Sequence, residues 1–262
     1  MGVGVRQQDV VCPERVPLDE RENRQFWSRL GGKPELREAV VADIGPGRGT
    51  LCIDMARSGA KQVVGLDVEL ELVEFATQNL HRRHGELSGK VTFRLGSLRD
   101  YPDNYFDVIV AKDSFEHIEE LHSVMKDVRR CLRVGGRLYA GFGPLYNSFA
   151  GHHGGLGTRL PWGHLWIPES VLVRRVNRDR EQKVASLREL NVVNGKPFAD
   201  YRTLLHNAGL RVVMFKVNQS RHIVSKVFSV LRKIPGLQEY FTHNIYCILE
   251  KTPDVPAAEG SS

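Results

Sequence analysis

The period with which apolar and polar residues follow one another changes along this chain, and the changes mark its elements. From residue 37 onward, short β-branched runs alternate with longer amphipathic stretches, the signature of βαβ units that assemble a parallel sheet. Strands are predicted at 40–44, 62–67, 91–95, 106–111 and 137–142. The run Phe106-Asp107-Val108-Ile109-Val110-Ala111 is nearly all apolar, as a strand covered on both faces requires. Helices are predicted over 50–58, where Gly59 stops the first, and over 71–84, where Leu72, Phe75, Ala76 and Leu80 form one stripe. A third is predicted over 121–132, with Gly135-Gly136 as its C-terminal cap.

After residue 142 the rhythm breaks. Residues 143–196 carry glycines, paired histidines, two tryptophans and a charged helical stretch. A structureless loop of that length is unusual in a compact domain, so a lid or cap is expected over about 144–196. A helix (197–210), a strand (211–217) and a last strand (244–251) follow. Between those strands, 219–240 inserts apolar and basic residues at helical spacing. Such a segment suits either a membrane-surface helix or one packed on the cap or on a second subunit, so peripheral membrane contact and a homo-oligomer both stay open. No internal repeat is found. The division expected is a flexible N-terminus (1–20), one domain (21–251) and a disordered tail rich in Pro, Ala, Gly and Ser (252–262).

Composition narrows the class. With 41% hydrophobic and 26% charged residues, the 262-residue chain can bury a sizeable core. Its apolar runs are strand-sized, far short of the ~20 residues of a membrane span, and residues 1–20 show no apolar signal region. Four cysteines (Cys12, Cys52, Cys131, Cys247) without CxxC spacing fit a reduced, cytoplasmic compartment and suggest no zinc site. The net charge of +6 arises from interspersed signs, which reads as a mildly basic surface rather than a nucleic-acid stripe.

The chemistry begins at Asp43-Ile44-Gly45-Pro46-Gly47-Arg48-Gly49. Glycines after a strand let the backbone turn tightly and open the next helix with free N–H groups. A dinucleotide site would show G-x-G-x-x-G, whereas here Thr50 stands where the last glycine would fall. Asp43, two residues before the first glycine, would repel a pyrophosphate but suits a ligand carrying an ammonium and a sulfonium. That favours S-adenosyl-L-methionine over a nicotinamide dinucleotide. Asp67, ending the second strand, can accept two hydrogen bonds from a ribose diol, or cap the following helix. Ser97, in Gly96-Ser97-Leu98, reads equally as a partner for an adenine edge or as a turn cap.

With these motifs the chain resembles the class I S-adenosylmethionine-dependent methyltransferases, in particular the group acting on small molecules. The matching residues run from Val41 to Gly49, through Val64-Gly65-Leu66-Asp67 and Tyr105-Phe106-Asp107-Val108-Ile109-Val110. They continue in Phe115-Glu116-His117-Ile118 and in Leu132-Arg133-Val134-Gly135-Gly136-Arg137-Leu138. The match is good over about 37–143 and looser over 197–251. It implies a Rossmann-like α/β fold, a seven-stranded sheet with an antiparallel last strand and helices on both faces, to which the stretch after strand five is expected to add a cap. Cofactor would lie at the carboxyl ends of strands one to four. The candidate cofactor-binding residues are Asp43, Gly45, Pro46, Gly47, Gly49, Asp67, Val68, Ser97, Leu98 and Lys112. Ser97 departs from the acid common in the family.

Methyl transfer asks a protein mainly to align reactants and exclude water, and a hydroxyl acceptor also needs a base. The cap offers Tyr146, His152, His153 and His164 near Trp162 and Trp166; His153 is the preferred base and His164 the second. Asp113, Glu116 and His117 resemble a metal-binding arrangement of ubiquinone-pathway O-methyltransferases, with Asp and Glu on one helical face, but the same Glu-His-Ile occurs in metal-free relatives. No metal is assigned. The activity expected is O-methylation of a small metabolite or natural product. Methylation of RNA or another macromolecule, and a non-catalytic binding protein, are the alternatives. The chain has neither an Asn-Pro-Pro-Tyr motif nor a Pro-Cys dipeptide for nucleic-acid chemistry.

Overall fold

The computed structural model describes residues 16–178, 180–190, 192–219 and 223–253. Seven strands form one sheet: β1 (Val40–Ile44), β2 (Gln62–Asp67), β3 (Val91–Leu95), β4 (Phe106–Lys112), β5 (Leu132–Phe142), β6 (Arg211–Val217) and β7 (Ile245–Glu250), in the order β3-β2-β1-β4-β5-β7-β6. Strand β7 runs antiparallel to both neighbours, while β1 to β5 pair in parallel. The sheet and its antiparallel strand are those the resemblance implies.

The two faces follow from the period of two along each strand. Val41, Val63, Val108 and Val110 point to one face. There they meet Phe26, Trp27 and Leu30 near α1 (Val16–Arg29), Leu51, Cys52 and Met55 of α2 (Thr50–Arg57), and Leu80 of α3 (Leu70–Arg83). Ala42, Val64, Ile109 and Ala111 point to the other. They meet Leu121, Met125 and Val128 of α4 (Leu121–Cys131) and Phe198, Tyr201 and Leu205 of α7 (Phe198–His206). Helix α1 had no counterpart in the sequence reading. Its Trp27 packs on α2, donating from the indole N–H to Asp54 Oδ2 at 2.9 Å.

The Gly135-Gly136 pair does not cap α4. The helix ends at Cys131 and β5 begins at once, with Leu132 opposite Phe106 and Arg137 opposite Val108. Between those pairs residues 133–136 of β5 face Asp107 alone on β4, and the excess is taken up as a bulge where Gly135 adopts φ +81°. A glycine with positive φ serves a bulge as well as a helix end, which is why the motif misled.

Between β5 and α7, in the segment expected to be a cap, the described residues include α5 (Gly163–Trp166), α6 (Glu169–Val176) and a short 3-10 turn at Leu187–Leu190. Between β6 and β7 it forms α8 (Ile223–Leu231) and α9 (Gln238–Phe241). Phe149 and Trp162 of the cap interlock with Phe228 and Phe241 of this insertion, ring centroids lying 5.2–6.2 Å apart. Trp162 also donates its indole N–H to the Tyr240 carbonyl oxygen at 3.2 Å. Of the locations left open for 219–240, the contact with the segment after β5 is thus present. Among the described residues no helix is long and apolar enough to cross a membrane.

Candidate functional site

The carboxyl ends of β1, β2 and β4 bring the predicted acids together. Pairing of Ile44 with Leu66, and the Gly45 N–H bond to the Leu66 carbonyl oxygen (2.9 Å), set Asp67 beside the glycine turn. In that turn Gly45, Gly47 and Gly49 have φ of +70°, +52° and +77°, a region that side chains with a Cβ rarely adopt. Space adds a second constraint at Gly49. A Cβ there would lie 2.3 Å from Phe93 Cζ, whereas one at Gly47 would meet nothing within 4 Å. Phe93 also fills the room left by Gly65 in β2, where a Cβ would fall 2.5 Å from its ring and 2.9 Å from Pro46 Cγ. Pro46 and the ring thus seat the turn on the sheet. The glycine inside β2 was the available sign of this close approach.

Asp43 is 1% exposed. Its Oδ2 accepts from the Cys52 thiol at 3.3 Å, and its Oδ1 is buried without a hydrogen-bond partner. Desolvation pushes the carboxyl up to about 7, opposed by the Cys52 hydrogen bond and the Lys112 charge and reinforced by Asp67. Leaving a buried acceptor unpaired costs about 1–3 kcal/mol, so this oxygen is poised for an incoming donor or cation. The donor set therefore fits the ammonium- and sulfonium-bearing cofactor. Asp67 is raised mainly by burial too, and its Oδ1 accepts from the Glu69 N–H at 3.1 Å.

The remaining cofactor candidates divide. Val68, just past the end of β2, stands 77% exposed, and Leu70 and Leu95 are exposed as well. Ser97 caps the short turn Leu98–Asp100: its Oγ accepts from the Arg99 N–H (3.3 Å) and its own N–H donates to Asp100 Oδ2 (2.9 Å). Leu98 turns its side chain into the core, and its carbonyl oxygen accepts from Arg130 at 2.9 Å. Lys112 reaches α1, donating to Asn23 Oδ1 at 3.2 Å and lying 3.6 Å from Glu22 Oε2. Cys52, in the first turn of the helix that the glycine turn opens, and Asn23, brought in by α1, also touch this site and carry no motif of their own.

The segment after β4 is not helical. Asp113 has φ +52°, and residues 114–120 form turns, so Asp113 and Glu116 do not share a helix face. The buried Glu116 instead accepts the Gly143 N–H at 2.9 Å and so ties this turn to the start of the cap. Among the described residues no three His, Cys, Asp or Glu side chains group closely enough to hold a metal ion. Desolvation raises the Asp113 carboxyl to about 6, with the Lys112 and Glu22 charges acting in opposite senses.

In the segment after β5, the His153 ring centroid lies 5.6 Å from that of His117, which belongs to the turns following β4. Its Nε2–H donates to the Pro144 carbonyl oxygen at 2.8 Å, which makes Nδ1 the basic nitrogen. His164 is deeper. It is 5% exposed, its Nε2–H donates to the Tyr146 carbonyl oxygen at 2.5 Å, and its buried Nδ1 has no partner. Burial, with the nearby His152, lowers its pKa. Trp166 is 64% exposed and Trp162 belongs to the aromatic contact with the insertion. The cap histidines therefore form two groups: His153 with His117, and His164 with His152 and Tyr146.

A seven-stranded sheet with one antiparallel strand, a glycine turn and acids closing β1 and β2 defines a class I methyltransferase fold. Residues 42–140 match the family described as "Methyltransferase domain", and the chain carries a class I S-adenosylmethionine-dependent methyltransferase domain. It is 33% identical over 141 residues to 27-O-demethylrifamycin SV methyltransferase of Amycolatopsis mediterranei, which is 53% of this chain and 51% of that protein. It is 35% identical over 114 residues to a ubiquinone biosynthesis O-methyltransferase of Xanthomonas oryzae, 42% of this chain and 45% of that protein. The matched part thus spans about half the length of these relatives. Magnesium protoporphyrin IX methyltransferase from Synechocystis, solved with bound SAH, has the same fold: TM-score 0.52 at 19% identity, over 96% of this chain and 89% of that one.

Proposed function

We propose that this protein transfers a methyl group from S-adenosylmethionine to a hydroxyl of a small metabolite or natural product. The observation that carries the reading is Asp43: a sealed carboxyl at the glycine turn with one oxygen awaiting a partner. The bound cofactor supplies an electrophilic methyl on a sulfonium, a leaving group that needs no further activation. Asp43 holds the cationic amino-acid end of the cofactor, Asp67 accepts from its ribose hydroxyls, and Val68 offers apolar contact to its base. Ser97, engaged as a turn cap, leaves its hydroxyl proton for the adenine edge. His153 takes the acceptor proton at Nδ1, while His164 shapes the cap from within. The two O-methyltransferase relatives support an oxygen acceptor. Three buried free thiols, Cys52, Cys131 and Cys247, suit a reducing cytoplasm.

The test is to incubate the protein with methyl-labelled cofactor and an extract of its host, then identify the labelled product. A labelled small-molecule methyl ether supports the proposal. Label on RNA or protein, or cofactor binding by calorimetry with no turnover across a broad panel, overturns it.

A further inference from the structure

Helix α8 is apolar on two opposite sides. Its Phe228 is buried among Phe149, Trp162 and Phe241, which anchors the helix to the cap. On the outer side Val227, Val230 and, in the turn that follows, Ile234 are 49%, 63% and 48% exposed. They are spaced three and then four residues apart, so they share one face. Core packing accounts for Phe228 but not for the outer row.

The charges around that row have one sign. Lys226 and Lys233 are exposed and have no ion pair among the described residues. The segment's one carboxylate, Glu239, is turned inward to accept the Phe198 and Ala199 N–H groups at 2.6 and 2.9 Å, at the start of α7. Arg232 also points inward, over the Phe198 ring and to Thr242 Oγ1. Among the described residues of α8 and the turn after it, what faces outward is therefore apolar with lysines at its edge. A nine-residue helix is too short to span a bilayer, but an apolar row edged by lysines suits the headgroup boundary of an anionic membrane.

We propose that the outer face of α8 docks the protein reversibly on anionic lipid surfaces. The apolar side chains sink into the boundary and the lysines meet the headgroups. The proposal is independent of the methyl-transfer reading, since it needs neither cofactor nor acceptor. The test is co-sedimentation of the full chain with vesicles of phosphatidylcholine alone, or with one-third phosphatidylglycerol. Binding is expected to the anionic vesicles only, weakening as NaCl rises from about 0.1 to 0.5 M. Lys226→Glu with Lys233→Glu should cut it roughly thirtyfold or more. Val227→Ser, Val230→Ser and Ile234→Ser together should abolish it while leaving the thermal midpoint unchanged; should that variant not fold, the lysine pair decides. Equal binding to neutral vesicles, none to anionic ones, or binding indifferent to the lysines overturns the proposal. So does a dimer, seen by light scattering, that the serine substitutions dissolve, because a second copy would then be the occupant.

Discussion

Cys52 sets its thiol 3.3 Å from the Asp43 carboxylate, and both side chains are sealed from solvent. The thiol donates to that acid, and burial raises its own pKa well above the ordinary value, so it stays an S–H. Removing it leaves both carboxylate oxygens unpaired. Cys52→Ala is expected to weaken S-adenosylmethionine binding about tenfold by calorimetry, and Cys52→Ser to restore most of it, because the hydroxyl donates again. A variant as tight as the parent would show that the thiol only packs.

The acid also ties cofactor binding to pH. Its folded pKa of about 7 lies above the ordinary 3.8. As pH rises between those values, the unfolded chain loses a proton that the folded, ligand-free protein keeps, so this group's contribution to stability falls across that window. Cofactor binding selects the carboxylate and runs the other way. Affinity should rise from about pH 6 to pH 8, with proton release near pH 6.5, read from calorimetry in buffers of different ionisation heat. Asp113, at about 6, titrates nearby, so Asp43→Asn is the control: it should bind weakly and flatten the upper part of the curve.

Why some of this was legible from the residues alone, and some not, follows from the range of the interactions. Strands β1 to β4 stood out because each is a short apolar run bounded by glycine or a charge. Asp43, the glycines and Asp67 lie within or at the ends of such runs, and the structure brings them together at the carboxyl end of the sheet. Helix α1 was missed because Phe26, Trp27 and Leu30 are sparse among charged residues, and their burial depends on α2. Phe93 under Gly49 joins residues that only the folded sheet brings near, and the pairing of Cys52 with Asp43 depends on how the glycine turn sets α2 against β1.

The glycine turn allows a matched comparison. Gly49→Ala meets both an unfavourable φ and the Phe93 ring, whereas Gly47→Ala meets only the φ. The first should cost roughly 3 kcal/mol or more in chemical unfolding, the second about 1. Equal losses would mean the ring yields.

The two cap histidines should separate by readout. His153→Gln is expected to lower kcat by about 100-fold or more with cofactor affinity intact, since the base acts on the acceptor alone. His164→Gln, which disturbs a buried ring held by the Tyr146 carbonyl, should lower the thermal midpoint first. Loss of kcat with His164→Gln alone would reverse the assignment.

The antiparallel strand has a consequence for how such a protein diversifies. Because β7 lies between β5 and β6, Phe142, Val217 and Ile245 sit side by side, so both excursions leave the sheet from a single corner. There the Leu145 N–H donates to the His243 carbonyl oxygen, and Gln219 N–H to Asn244 Oδ1. Two stretches far apart in the chain are thus stapled into one removable module. Moving either stretch alone to another scaffold would leave half of the aromatic seam behind.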